Sequence, residues 1–205
     1  MTAHKTATQK EQLAKLFVDT KSFLWSDTPI FQLASGGVSN FYIDSKILFS
    51  YPEALEVLGE MIATEIGPQD IDAVGGLELG AVPIAYAVSV AFRRKFNKCV
   101  RAFVVRKEPK KHGLKKPIEG AVSQGDRVLI VDDVITTGTS TIDAINKSRE
   151  QGLDVVKVIA VVDRLEKDGA QNIRDCGVTF DSLLTVRDLC DFRGVTMPPS
   201  QVLNI

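Results

Sequence analysis

The sequence predicts an α/β fold: a doubly wound, mainly parallel sheet flanked by helices, with a small N-terminal hood. Two observations predict it. From Asp72 to Val186, short apolar runs alternate with segments of helical period, the pattern of strand–helix–strand units around a parallel sheet. One of those runs, Val128 to Val131, ends in two adjacent carboxylates, Asp132 and Asp133, before a turn rich in hydroxyls and glycine. Ligands of open α/β sheets sit beyond the carboxyl ends of the strands, where that turn falls.

The elements follow in order. Leu13, Leu16, Phe17 and Phe23 recur at near-helical spacing within 10–23, after a polar tail. Residues 30–47 carry the Gly36-Gly37 turn and the apolar FYIDSKIL stretch, a strand-rich cover rather than part of a sheet core. Pro52 opens a helix that runs through Ala54–Ile66 to the stop at Gly67-Pro68. Strands are expected at 72–75, 99–105, 127–131, 155–162 and 178–186, and helices at 82–96, 141–150 and 166–175. No repeat, low-complexity tract or linker interrupts the 205 residues. They read as one domain over 1–205, with a helix and hood to about 50 and the α/β core over about 51–190.

Composition excludes several classes. The chain is 44% hydrophobic and 25% charged, with a net charge of −1. It offers no global attraction to nucleic acid or membrane, so any anion site is local. No apolar run approaches the ~20 residues of a membrane-spanning helix, and Met1–Lys10 lacks the apolar core of a signal peptide. Cys99, Cys176 and Cys190 are odd in number and lack metal-ligand spacing. A reduced, cytoplasmic protein is expected.

Residues 128–140 read VLIVDDVITTGTS. A buried strand followed by this turn presents backbone N–H groups at the start of the next helix, where unpaired donors and the helix dipole favour a phosphate. Gly138 allows close backbone approach, and Thr136, Thr137, Thr139 and Ser140 add hydroxyls. Two acids beside a phosphate site repel it, so they require hydroxyls or a cation. A sugar phosphate with free ring hydroxyls satisfies both halves. Two other readings compete: a receiver-domain acid pair holding Mg²⁺, and acids that simply cap a helix. The second informative segment, RKEPKKHGLKKPIEG over 106–120, places Arg106, Lys107, Lys110, Lys111, His112, Lys115 and Lys116 within eleven residues. Its prolines and glycines make it a loop. It reads either as a solvated surface loop or as an anion-binding lid, and it lacks the interleaved aromatics of a nucleic-acid binder.

The 128–140 stretch resembles the phosphoribosyl pyrophosphate (PRPP) motif of type I phosphoribosyltransferases. RKEPKKHG resembles the RKExKxHG loop of the orotate phosphoribosyltransferase family, and FQLASGGVSNFYID its early F-x-L-x-S-G segment. Val161-Val162-Asp163-Arg164 resembles that family's strand-end arginine. The resemblance implies the type I fold and transfer of phosphoribosyl from PRPP to orotate in pyrimidine (UMP) synthesis, with Mg²⁺. It also implies a homodimer in which loop 106–120 completes the partner's site.

Under the resemblance, Asp132 and Asp133 take the ribose hydroxyls, and Thr136, Thr137, Gly138, Thr139 and Ser140 the 5′-phosphate. Lys107, Lys110 and His112 close on the pyrophosphate, with Arg106 at the lid base and backbone N–H groups of the 75–80 turn assisting. Arg164 meets the orotate carboxylate, Tyr42 and Phe41 flank the ring, and Thr136 also touches it. Plainer readings stand beside these: an ion pair of Arg164 with Asp163 or Glu166, core packing for the two aromatics, and an ordinary strand-to-helix turn at 75–80. Ala34, Gly37 and Gly80 fall where relatives often carry basic residues, and Asn40 where they carry proline. These departures leave two alternatives open: a different acceptor base, or a PRPP-sensing protein without turnover.

Overall fold

The structure, a computed structural model, describes residues 2–32, 37–68, 71–108 and 117–197, with side chains of the first helix from Gln9 onward. The first helix, α1, spans Thr2–Asp19, so the expected helix starts earlier and ends before Phe23. Leu13, Ala14 and Phe17 form its buried stripe, and it packs on two later helices at the two ends of the chain's core. Phe23–Trp25 (β1) pairs antiparallel with Phe41–Ile43 (β4), and Phe31–Gln32 (β2) with Val38–Ser39 (β3). The described parts of the 30–47 segment are thus strand-rich as expected, separate from the main sheet, and they close with a short helix, Ser45–Leu48 (α2). Pro52–Ile66 (α3) begins with proline and ends at Gly67, as the sequence indicates.

The core then alternates. Ala73–Leu77 (β5), Ala81–Phe96 (α4), Arg101–Val105 (β6), Ile118–Gly120 (β7), Arg127–Ile135 (β8) and Thr139–Glu150 (α5) come first. Asp154–Asp163 (β9), Gly169–Arg174 (α6), Thr179–Thr185 (β10) and Val186–Arg193 (α7) complete it. The six-stranded sheet has the order β10-β9-β8-β5-β6-β7. All pairings are parallel except β6–β7, which is an antiparallel hairpin. Side-chain alternation along β8 feeds two cores: Leu129 and Val131 join the face covered by α1, α3, α4 and α7, and Val128 and Ile130 join the face covered by α5 and α6.

Three differences from the sequence reading have local causes. Strand β8 continues to Ile135, so the acid pair lies within it. Helix α6 starts at Gly169 rather than 166, because Leu165, Lys167 and Asp168 adopt positive φ and turn the chain first. Helix α7, beyond the last strand expected at 178–186, is started by a capping box between Thr185 and Asp188.

Phe17, fully buried in α1, fastens that helix to the core. Phe17→Ala is expected to lower unfolding free energy by about 3–5 kcal/mol, read from denaturant unfolding, with an unchanged denaturant dependence.

Candidate active site

Strand β5 pairs with β8 only from Ala73–Gly75 to Val128–Ile130. Beyond that, β5 continues beside β6 to Leu77, and β8 continues beside β9 to Ile135. The two strands part where the sheet order reverses, which opens a crevice at their carboxyl ends. The acid pair stands at its mouth. Successive strand residues point to opposite faces, and the acids obey this. The buried Asp132 carboxylate turns toward α5 and accepts a hydrogen bond from Thr141 Oγ1 at 2.6 Å. The half-buried Asp133 turns toward the hood, where Ser45 Oγ donates to its Oδ2. A Cβ on Gly80 would lie 2.5–2.8 Å from the Asp133 carboxyl group, so glycine there makes room for this acid.

Asp132 is only 6% exposed. Burial, reinforced by the neighbouring charge of Asp133, pushes its carboxyl up to about 7, against the opposing hydrogen bonds from Thr141 and the Asp133 backbone. The acid pair of the ligand-free protein therefore resists carrying two charges near neutrality.

The turn after β8 behaves as its sequence suggests. Gly138 adopts φ +78° at the N-cap of α5, a conformation favoured by glycine. A Cβ there would also meet the Gly169 carbonyl at 2.9 Å. The first intrahelical bond is Ile142 N–H to the Gly138 carbonyl, which leaves the N–H groups of Ser140 and Thr141 without an intrahelical acceptor. Thr137 and Thr139 hydroxyls share a 2.9 Å hydrogen bond. Asn172 Nδ2 donates to the Thr137 carbonyl at 3.0 Å, bracing the turn from α6.

Arg106 and Lys107 leave the end of β6, and the base of the basic segment is tied from three directions. Arg106 Nη1 lies 3.0 Å from Glu119 on β7 and 3.7 Å from Glu78 after β5. Glu78 Oε1 accepts the Lys107 N–H at 2.9 Å. Lys147 Nζ, from α5, donates to the carbonyls of Arg106 and Lys107 at 2.8 and 3.0 Å. Lys110, Lys111, His112, Lys115 and Lys116, like Ala34, lie outside the described residues.

Arg164 follows β9 on the same edge and is 6% exposed. Its guanidinium sits 4.5 Å from the centre of the Phe41 ring. Its Nε and Nη2 donate to Glu166 at 3.0 and 3.3 Å. The ion pair with Glu166 is present, and Asp163 instead accepts the Leu165 N–H. Phe41 is buried against Phe23. Tyr42 is 40% exposed, with its ring over Phe31 at 6.2 Å.

The structure thus gathers Asp132, Asp133, the 136–140 turn, the start of the basic segment and Arg164 at the carboxyl ends of adjacent strands. Sequence reasoning passed over Thr141, Ser45, Glu78, Lys147 and Asn172. Isolated polar residues in helices and turns carry no spacing signal, and only the fold brings them to the acids and loops. Among the described residues, no cluster of three or more acidic, histidine or cysteine side chains offers a metal cage. Adjacent hard carboxylate oxygens suit Mg²⁺ that arrives with phosphate ligands.

Residues 45–181 match the phosphoribosyl transferase domain. The protein named orotate phosphoribosyltransferase from Aquifex aeolicus is 41% identical over 181 residues, covering 88% of this chain and 97% of its own length. Its namesake from Methanocaldococcus jannaschii is 45% identical over 159 residues, covering 78% and 86%. The chain belongs to the orotate phosphoribosyltransferase family. The solved orotate phosphoribosyltransferase of Mycobacterium tuberculosis superposes with a TM-score of 0.75 at 34% identity, over 88% of this chain and 98% of that one. The same enzyme in complex with PRPP gives 0.70 at 30% identity, over 89% and 92%. In this chain the Gly80 position is sterically coupled to Asp133, so a longer side chain there requires that acid to move.

The raised Asp132 pKa has a measurable consequence. An acid that holds its proton more tightly when folded contributes stability that is full below the unfolded value of about 4 and is lost as pH rises through about 7. In thermal melts of the ligand-free protein, Asp132→Asn is expected to raise Tm by several degrees at pH 8, by less at pH 5, and to change it little below about pH 4.

Proposed function

We propose that this chain transfers the 5-phosphoribosyl group of PRPP to orotate, giving orotidine 5′-monophosphate and pyrophosphate in pyrimidine synthesis. The observation that carries the reading is the crevice, where an acid pair and a helix N-terminal turn share one strand end, as a phosphorylated ribose requires. The new bond joins the orotate ring nitrogen to the anomeric carbon as pyrophosphate leaves. Positive charge then develops on the ribose and negative charge on the leaving group, so positioning and electrostatics supply the catalysis. Asp132 and Asp133 would hold the ribose hydroxyls and face the cationic ring. The turn from Thr136 through Thr137, Gly138 and Thr139 to Ser140 would bind the 5′-phosphate.

Lys107, with Lys110 and His112 from the sequence pattern, would draw pyrophosphate away, and Arg106 would stiffen the loop base. When bound, Mg²⁺ neutralises pyrophosphate charge. Asp132 and Asp133 are the residues whose oxygens would face it. Arg164 would take the orotate carboxylate through its Nη1–Nη2 edge, since Glu166 occupies Nε and Nη2 on the side. Tyr42, the more exposed aromatic of the hood, would flank the ring, and Thr136 would border it.

We propose further that the 205 residues work as one domain and pair as a homodimer. Leu79, Tyr86 and Val90 lie exposed along the start and outer face of α4, apolar area that a second subunit would cover. The three free cysteines suit a reducing cytoplasm. No helix among the described residues is long and apolar enough to cross a membrane.

The test is orotate consumption with PRPP and Mg²⁺, followed by ultraviolet absorbance, beside uracil, adenine and hypoxanthine. Turnover is expected with orotate, and Asp132→Asn with Asp133→Asn is expected to abolish it. Arg164→Ala is expected to cut kcat/KM for orotate by about a hundredfold or more, because a charged fork is lost from a carboxylate. Turnover of a neutral base instead would identify a different acceptor. PRPP binding without any turnover would identify a sensor.

A further inference from the structure

Lys147 occupies an unusual place for a helical surface lysine. Its ammonium has three N–H donors, and all three are engaged: the carbonyl of Arg106 at 2.8 Å, the carbonyl of Lys107 at 3.0 Å and Asp143 Oδ2 at 2.8 Å. Successive carbonyls of an extended strand point to opposite sides. Two of them converge on one ammonium only where the chain turns, and this is where the basic segment leaves β6. From the other side, Glu78 Oε1 accepts the Lys107 N–H at 2.9 Å. The backbone of Lys107 is therefore held at its N–H by the turn after β5 and at its C=O by α5, while its side chain remains exposed.

We propose that Lys147 is a positioning residue for Lys107. Helix α5 begins with the proposed phosphate turn at Thr139 and carries Lys147 about 12 Å further along its axis. One rigid element thus carries both the proposed phosphate turn and the anchor of the cation that would meet a pyrophosphate. Glu78 fixes the same residue relative to the 75–80 turn. The acid–lysine pair with Asp143 keeps the ammonium aimed at the two carbonyls. This inference rests on the reading of Lys107 as a pyrophosphate ligand.

The test compares affinities for PRPP and for ribose 5-phosphate, which has the 5′-phosphate and ribose but no pyrophosphate. Both are measured by titration calorimetry with Mg²⁺ on the full-length wild type, Lys147→Met, Lys147→Arg and Lys107→Ala. Methionine keeps the apolar stem and removes the donors. Lys147→Met is expected to weaken PRPP by about tenfold while ribose 5-phosphate stays within about twofold, because charge-assisted bonds to the loop base are lost and the phosphate turn is untouched. Lys147→Arg, whose fork also reaches two carbonyls, is expected to recover most of the loss. An unchanged PRPP affinity in Lys147→Met overturns the proposal. So does a parallel loss for ribose 5-phosphate, which marks general damage to α5. If Lys107→Ala leaves the PRPP preference intact, the Lys107 reading itself falls, and the inference falls with it for that separate reason.

Discussion

The bond from Thr141 to Asp132 is the constraint on which the site is built. A carboxylate 6% exposed at a strand end meets a desolvation penalty of several kcal/mol. A hydrogen bond to a charged group returns about 1.5–3 kcal/mol. The compensation is incomplete, which is why the acid holds its proton toward neutrality. The geometry it enforces is nevertheless strict. Thr141 belongs to the first turn of α5, so fixing it against Asp132 fixes where the helix begins relative to β8. The chain between them has only residues 136–138 to make the turn, and Gly138 makes it at positive φ. Asn172 then braces the Thr137 carbonyl from behind. The 136–138 turn and the acid pair are parts of one rigid junction.

The cations of the site are held in the same economical way. Arg106 is paired with Glu119 and Glu78, Arg164 with Glu166, and Lys147 with Asp143. A chain with a net charge of −1 can thus gather cations along one sheet edge without accumulating repulsion. The cost falls on binding. Under the proposed function, an incoming carboxylate or pyrophosphate would meet guanidinium groups already partly neutralised, so affinity would depend on the donor edges left over. For Arg164 those are the protons not given to Glu166, and the Phe41 face keeps their plane fixed.

Much of this was legible in the sequence, for physical reasons that differ by element. Alternation from Asp72 onward gave the doubly wound core, since each buried strand and amphipathic helix has its own period. The segment 132–140 was legible because an acid pair, then hydroxyls and a glycine before a helix start, is a composition with few other uses. Helix α7 carried a readable T-x-x-D cap at Thr185–Asp188 that the apolar run before it concealed. The hairpin strand β7 was hidden because three residues beside a proline and glycine give almost no pattern. Ser45, Glu78 and Lys147 were out of reach altogether. Their partners, Asp133, Lys107 and Arg106, lie 88, 29 and 41 residues away in sequence, and only the sheet order makes them neighbours.

That order also explains how two acids on opposite faces of one strand can address a single ring. Side chains at 132 and 133 diverge above and below the sheet, so a ligand lying on either face would meet one acid alone. Under the proposed function, a ribose held by both would lie in the plane of the sheet, against the edge of β8. In a continuous parallel sheet that edge is covered by the next strand. Here β5 stops pairing with β8 after Gly75–Ile130 and turns toward Glu78 and Gly80, so no strand ladder covers the edge beside Asp132 and Asp133. Gly80 lies against that edge, and a side chain there would strike the Asp133 carboxylate. The parting of two strands and the absence of one side chain therefore meet the same requirement: a place where the acid pair and the turn that follows it at the end of β8 can face the basic segment leaving β6.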